Sequence, residues 1–488
     1  MSSRGSATLL CPPSLVGSTG AMEWTPAHPN WQCRVSQWPR FWPSPTLPVS
    51  AANSTPQCTL SRLHLRRSSA SLVARLLLAA QIAASSVLCL ADTDRVQLRP
   101  VATSGMPVPG GGTFDRFHVE GQPAITPVND RRQVAFFATL AHARASEGMF
   151  LGDANGIQVI ALSGSAVPGG GKLAGFPEHP VPALNRVGAV AFSASIAEGK
   201  ASEGVFVSNK HRLRVIALSG SASSGVPGGI FTEFQAPALN DSGEVAFLAG
   251  VRRGRDTLEA IYLHRAGKLR KIAAAGDPAP GGGSFSAFGA PALNNKREVA
   301  FAAVIDGGSV TGGIFVASAA ETRMLVGAGT PEPYGGIFAQ FSDRVSINSG
   351  GSVLFNAILK LGPVNHALFV VERGEVRPVV GVGRAGSADA DFSALGLWPS
   401  LSDDGTVAFI AAAADSSGAV GLFLAESLQT KRRAVVGDTL PDGATLVSFL
   451  LYPAVTCSPR GTLAFAIQGA AAGGKSFEAI LIATPQRE

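Results

Sequence analysis

The residues best suited to chemistry are scattered along the chain. The eight histidines are His28, His64, His118, His142, His179, His211, His264 and His366, and no two lie at the close spacing that puts two imidazoles on one metal ion. Pro-Gly-Gly-Gly at 109–112, 168–171 and 280–283 has the composition of a phosphate cradle. No Gly-Lys-Ser/Thr follows to open a helix on the anion, so the pattern reads as a turn between repeats. Ser402-Asp403-Asp404-Gly405 reads as a hairpin turn, and Asp277 and Asp438, each following a glycine, take turn roles. Arg252, Arg253 and Arg255 crowd what reads as a loop, either simply solvated or forming a patch for an anionic ligand. These residues assign no catalytic group, no metal and no cofactor, and the binding residues stay unassigned.

What positions these residues is a repeat. Segments 126–136, 182–192, 237–247, 291–301, 345–355, 399–409 and 454–465 align and end on Phe136, Phe192, Phe247, Phe301, Phe355, Phe409 and Phe465, spaced 54 to 56 residues apart. Each unit reads as four short strands. A Pro-Ala-Leu-Asn strand leads through an Asn-x-x-Gly turn, whose Asn and Gly tolerate positive φ, into a Val-Ala-Phe strand with alternating apolar side chains. A fully apolar third strand follows, as in 205–208 and 314–317, which predicts burial on both faces. A fourth strand, as in 213–220, ends in a Gly/Pro-rich link.

Four antiparallel strands in each unit predict an all-β fold, a seven-bladed β-propeller. The chain enters through a fourth strand at 96–105 and leaves after a third strand at 479–484, so the first strand is expected to complete the last blade and seal the ring.

Charge and cysteine divide the chain near residue 92. Residues 1–91 hold seven Arg, no Lys and one acid, which accounts for the whole net charge of +6 and leaves 92–488 neutral. A neutral body has no broad field for a polyanion, so no nucleic-acid partner is expected. Cys11, Cys33, Cys58 and Cys89 precede residue 92 and only Cys457 follows, so the body has no internal disulfide. Arg66, Arg67 and Arg75 before the apolar run 76–90, with Ala91 at its end, form a secretory signal pattern of bacterial type. The domain reading is therefore 1–64 disordered, with a start assigned too far upstream; 65–91 signal peptide; and 92–488 propeller. No membrane span follows 91, and a periplasmic or extracellular monomer is expected.

The units 185–192, 240–247 and 348–355 resemble the tandem NxxGxxAF-repeat proteins secreted by bacteria, across about residues 96–484. Arg132 and Arg297 replace the Gly, and Ser402 and Ser458 replace the Asn, departures that should weaken single turns. The units also resemble the TolB-type propeller repeat, Ser458-Pro459-Arg460-Gly461 most closely. Both resemblances imply propeller geometry and export, and neither implies an activity. Two functions stand open: a non-enzymatic binding or scaffold module for a protein or glycan ligand, and a hydrolase or lyase with acids at the channel mouth. Any partner is expected on the face that carries the Gly/Pro-rich links and the loops between second and third strands, where recognition loops differ from unit to unit.

Overall fold

The computed structural model describes residues 97–484 except Gly121, 177–179, His211, 384–391, 415–416, 427–428 and 451–453. The expected disordered segment 1–64 and the signal peptide 65–91 lie outside the described residues. All the regular structure described is β-strand, almost entirely antiparallel.

The third unit shows the plan. Val245–Arg253 pairs with Asp256–Arg265, which pairs with Lys268–Ala274. Val245, Phe247, Ala249, Val251, Ala260 and Tyr262 pack in one buried cluster, joined by Val205 and Val207 of the unit before it. Alternate residues of one strand thus face one neighbour, and the rest (Ala246 and Leu248 among them) face the next unit's cluster. This is why the third strand is apolar at every position.

One expectation is corrected. The Gly/Pro-rich link contains a further strand, Ile230–Phe234, which pairs with the distal half of Val245–Arg253, while Ala238–Leu239 pairs with the near half. The innermost position is thus shared by two short segments. The same split recurs in Lys172–Gly175 with Ala183–Leu184, and in Ser284–Phe288 with Ala292–Leu293. In the fifth unit the two halves run on as Ile337–Ile347, with a register skip between Phe341 and Val345.

These segments carry a large apolar residue, two residues between, then another: Phe231 and Phe234, Phe285 and Phe288, Phe338 and Phe341. In a regular strand residues three apart face opposite sides. Here a bulge falls inside each pair, between Phe231 and Glu233, Phe285 and Ala287, and Phe338 and Gln340. The extra residue turns both rings toward the core. Phe285 stands edge-on to Phe315 at 5.1 Å, Phe288 meets Phe301 at 5.8 Å, and Phe301 stacks on Phe315 at 5.6 Å.

The fourth strands are sheet edges, except that Glu375–Gly383 is bridged to the next unit, and two devices blunt them. Each has a register shift against the third strand, as between Val215 and Ala217. Each also carries a polar, nearly always basic residue near its start: Arg99, Gln158, Arg214, Arg270, Arg323, Arg377 and Lys431. Bulges and long charged side chains on an exposed edge discourage pairing with another molecule.

The strand Gln97–Thr103 occupies the outer place beside Ser476–Thr484, in register from Gln97 opposite Thr484 to Thr103 opposite Ala479. Its shift between Pro100 and Ala102 matches the bulge of the other fourth strands. Ala102, fully buried, packs in one cluster with Phe136, Ile480 and Ile482. The first described strand therefore completes the sheet of the last ones, as its sequence position suggested. A nine-stranded sheet joins the fifth and sixth units through a single parallel bridge, Val382 to Phe392.

Candidate binding site at the central cavity

Equivalent residues from all seven repeats line one cavity of about 290 Å³. Its apolar lining takes one side chain from each innermost strand: Val128, Leu184, Leu239, Leu293, Ile347, Leu401 and Cys457. The next residue in each repeat, Asn or Ser, is buried. The one after that, including Asp130, Arg186, Asp241, Asn295, Ser349 and Asp403, forms the polar rim.

The asparagines work differently from expectation. None has positive φ; in the turns the left-handed residue is the fourth, Gly188 at φ 88°, Gly243 at 75° and Gly351 at 95°. The Asn side chain instead serves as a connector. Asn129 Oδ1 accepts the N–H groups of Arg131 and Gln133 at 3.0 and 3.1 Å, holding its own turn. Its Nδ2 donates to the carbonyl of Asn185 at 3.0 Å, in the next unit. Asn185 donates in the same way to Asn240, Asn240 to Asn294, Asn294 to Asn348, and Asn348 to the carbonyl of Ser402, at 3.1 to 3.3 Å. Serine has no second donor to continue this ladder. Ser458 Oγ keeps the acceptor role, taking the N–H of Thr462 at 3.2 Å. Other bonds join the units there: Cys457 N–H to Ser400 Oγ at 3.0 Å, Thr456 Oγ1 to the Thr126 carbonyl at 2.6 Å, and Arg460 N–H to Asp130 Oδ1 at 3.0 Å.

The rim acids are committed likewise. Asp241 accepts the N–H of Arg186 at 2.8 Å and the side-chain amide of Asn295 at 2.8 Å. Asp403 accepts the N–H of Ser349 at 2.8 Å. Carboxylates fixed by neighbouring backbone are connectors between units. The thiol of Cys457 is pushed up to about 12, first by burial and then by the charges of Asp404 and Asp130, which favours the protonated thiol at neutral pH.

Arg132 and Arg297, which replace glycine, sit in the left-handed region at φ 61° and 67°. The turns keep their form, with Arg132 N–H on the Asn129 carbonyl at 2.9 Å. Arg297 gains a partner across the junction, its Nε lying 2.9 Å from Glu244 Oε1. Arg132 has no ion pair among the described residues. Arg132→Gly is therefore expected to raise stability by about 1 kcal/mol by relieving left-handed strain, read as a higher midpoint in urea unfolding. Arg297→Gly should show no such gain, because it strips a partner from buried Glu244.

The opposite face is built from the glycine links and the turns between second and third strands. Gly281, Gly282 and Gly283 all have positive φ, and a Cβ on Gly283 would lie 2.5 Å from the Asp306 carbonyl oxygen and the Gly308 nitrogen. The link therefore packs against the neighbouring hairpin, and the turn reading of Pro-Gly-Gly-Gly holds. Asp277 and Asp438 also act in turns, accepting the N–H of Ala274 and Val435, each at 2.8 Å. In Ser402-Asp403-Asp404-Gly405 the Ser402 hydroxyl donates to Asp404, which accepts the Thr406 N–H at 3.0 Å.

Arg252, Arg253 and Arg255 are exposed on this opposite face. They stand on a hairpin of paired strands with Gly254 and Arg255 at its tip, which corrects the reading of these three residues as lying in a loop. Among the described residues they form no ion pair. The described histidines are not gathered, and no group of metal-ligating residues forms among the described residues. His366 is pushed down to about 4 by burial and lies against Asn356.

A second set of connectors was missed from the sequence. Glu147, Glu203, Glu259 and Glu478 occupy one repeat position, at the start of the third strand. Each accepts a backbone N–H from an adjoining unit, in or just after its link strand: Phe176 at 2.9 Å, Phe234 at 3.1 Å, Phe288 at 2.9 Å and Phe117 at 2.8 Å. The last of these joins the final unit to the first by the same bond as the interior junctions. Burial raises the carboxyls of Glu147, Glu203 and Glu259, the last to about 7, against the lowering effect of these hydrogen bonds. Recurrence of an acid at the repeat spacing was the available signal.

Fold and site together define an all-β protein of antiparallel sheets whose repeats share one cavity. Residues 70–365, and again 143–484, match a family of unknown function, DUF7453, and the chain belongs to it. No curated protein matches the sequence. Among solved structures, the chain is similar to the polysaccharide lyase Uly1, at 10% identity over 81% of this chain and 98% of that one, TM-score 0.42. It is similar to a puromycin-hydrolyzing peptidase of Mycobacterium tuberculosis at 10% identity over 78% of this chain, TM-score 0.40, and spans only 56% of that protein. It is similar to the Dos1 propeller at 9% identity over 79% of this chain and 95% of that one, TM-score 0.36. Among the described residues no helix is long and apolar enough to cross a membrane.

Proposed function

We propose that the seven units close into a seven-bladed β-propeller. We further propose that this protein is an exported, monomeric, non-enzymatic binding module for a protein or glycan ligand. Closure is supported by the pairing of Gln97–Thr103 with Ser476–Thr484 and by the Glu478–Phe117 connector, which repeats the interior junctions. Export rests on the leader pattern at 65–91, and the periplasm or the cell exterior is its destination. The resemblance to NxxGxxAF-repeat and TolB-type proteins agrees with this setting.

The observation that carries the binding reading is a contrast between the two faces. At the rim of the cavity Asp130, Asp241 and Asp403 would suit a hydrolase or lyase, yet each is held by backbone N–H donors of the adjoining unit. On the opposite face, Arg252, Arg253 and Arg255 are exposed on a hairpin that differs from those of the other units. Recognition concentrates on such variable segments of a rigid scaffold.

The test is capture of ligands from a glycan array and a periplasmic extract by the mature protein, beside the variant with Arg252, Arg253 and Arg255 all replaced by Ser. The variant should lose an anionic partner and keep its melting temperature, since exposed substitutions of this kind cost under about 0.5 kcal/mol. Equal capture by both proteins, with loss on substitution of Asp241 or Lys296 instead, would place recognition on the other face.

A further inference from the structure

One junction departs from the repeat at several positions at once. Where the other units place Gly152, Ser208, Ala317, Val371, Ala425 and Ala483 at the end of the third strand, the third unit has His264. The next residue is Arg265, and the facing turn carries Glu244, an acid that only the fourth unit repeats, as Glu298. With Arg214 of the second unit they line a cleft of about 260 Å³, distinct from the central cavity.

The charges of this cleft are unbalanced. Glu244 is buried and accepts the Nδ2 group of Asn240 at 2.8 Å. Both Arg265 and Arg297 lie on its Oε1, at 3.1 and 2.9 Å. Arg214 is exposed and has no ion pair among the described residues. Of the charged groups that line the cleft, two are therefore guanidiniums, those of Arg214 and Arg265, and one is a carboxylate, while Lys268 lies opposite Arg265 in the hairpin. The second observation is independent of charge. His264 is nine-tenths buried, and its buried Nδ1 has no hydrogen-bond partner. His264 is part of the cleft wall, so the site holds a polar side chain that the rest of the fold leaves unpartnered.

We propose that the cleft lined by Arg214, Glu244, His264 and Arg265 binds a small oxyanion, a carboxylate or phosphate group. Guanidiniums supply the paired donors that suit such oxygens. Glu244 orients Arg265 and leaves its remaining N–H groups for the ligand. The site lies on the face of the Asn-x-x-Gly turns and is independent of the partner proposed for the opposite face.

The test is calorimetric titration of the mature protein with inorganic phosphate and, separately, with succinate, each at constant ionic strength in chloride. Saturable binding of at least one is expected, with histidine ring 15N shifts confined to His264 while His118 and His142 stay unmoved. Arg214→Ser with Arg265→Ser should weaken that binding at least tenfold. Arg270→Ser, which removes the same fourth-strand cation from the next unit, should leave it unchanged. Absence of saturable heat with both probes would overturn the proposal. So would equal weakening by Arg270→Ser, which would mark a diffuse charge effect.

Discussion

A chain shortened to begin at Thr113 is expected to lose its cooperative unfolding transition and to aggregate. The deletion removes Gln97–Thr103 and uncovers the edge of Ser476–Thr484, on which Ala479, Ile480, Leu481 and Ala483 are almost wholly buried. It also takes Val101, Ala102 and Val108 out of the core cluster around Phe136. An uncovered apolar edge templates pairing between molecules. The loss should exceed about 5 kcal/mol, comparable to the entire stability of many domains. Light scattering and chemical denaturation provide the measurement. A shortened chain that stays monomeric with an unchanged midpoint would refute the sealed arrangement.

The second large effect is a dependence of stability on pH through Glu259. Its carboxyl is raised from 4.5 to about 7, chiefly by burial. A folded-state value above the unfolded one means that the native protein holds the proton more tightly, so stability falls as pH rises from about 4.5 to about 7. At about 1.4 kcal/mol per pH unit the penalty reaches roughly 3 kcal/mol above pH 7. Glu259→Gln keeps an oxygen for the Phe288 N–H and removes the charge. The variant should therefore gain about that much stability at pH 8, gain little at pH 4, and show a flatter profile between. Glu147 and Glu203 are raised for the same reason, so some slope should persist in the variant. Parallel profiles for the two proteins would refute the assignment.

The strands were legible because their signal is periodic. Val-Ala-Phe alternates on a half-buried surface, and the run Val205–Ser208 of the third strand is apolar at nearly every position because neighbouring units press on both sides. The split innermost strand was not legible. Ile230–Phe234 is only five residues long and follows Gly-rich turn chemistry, and its apolar pair is three residues apart, a spacing that no regular strand presents to one face. Only the bulge makes sense of it. The asparagine was placed correctly in a turn but given a backbone role, because Asn is a frequent left-handed residue. Its side chain acts between units that lie more than fifty residues apart in sequence, a relation that local turn chemistry does not contain. The glutamate connectors share this property: a lone Glu before an apolar strand looks solvated until the next unit supplies its donor. At the cavity, the sequence could not say which acids from different units meet, and the geometry commits Asp130, Asp241 and Asp403 to their neighbours.

The pairing of Gln97–Thr103 with Ser476–Thr484 also has a consequence in time. Most strand partners here are synthesised within a few tens of residues of one another, so the interior sets form from local contacts as the chain emerges. The first described strand has no such partner and waits until nearly four hundred further residues have been made. A contact that spans the chain in this way forms late and slowly. Until then the first described strand is an unpaired ribbon, and the nine-residue strand Ser476–Thr484 is its receptor.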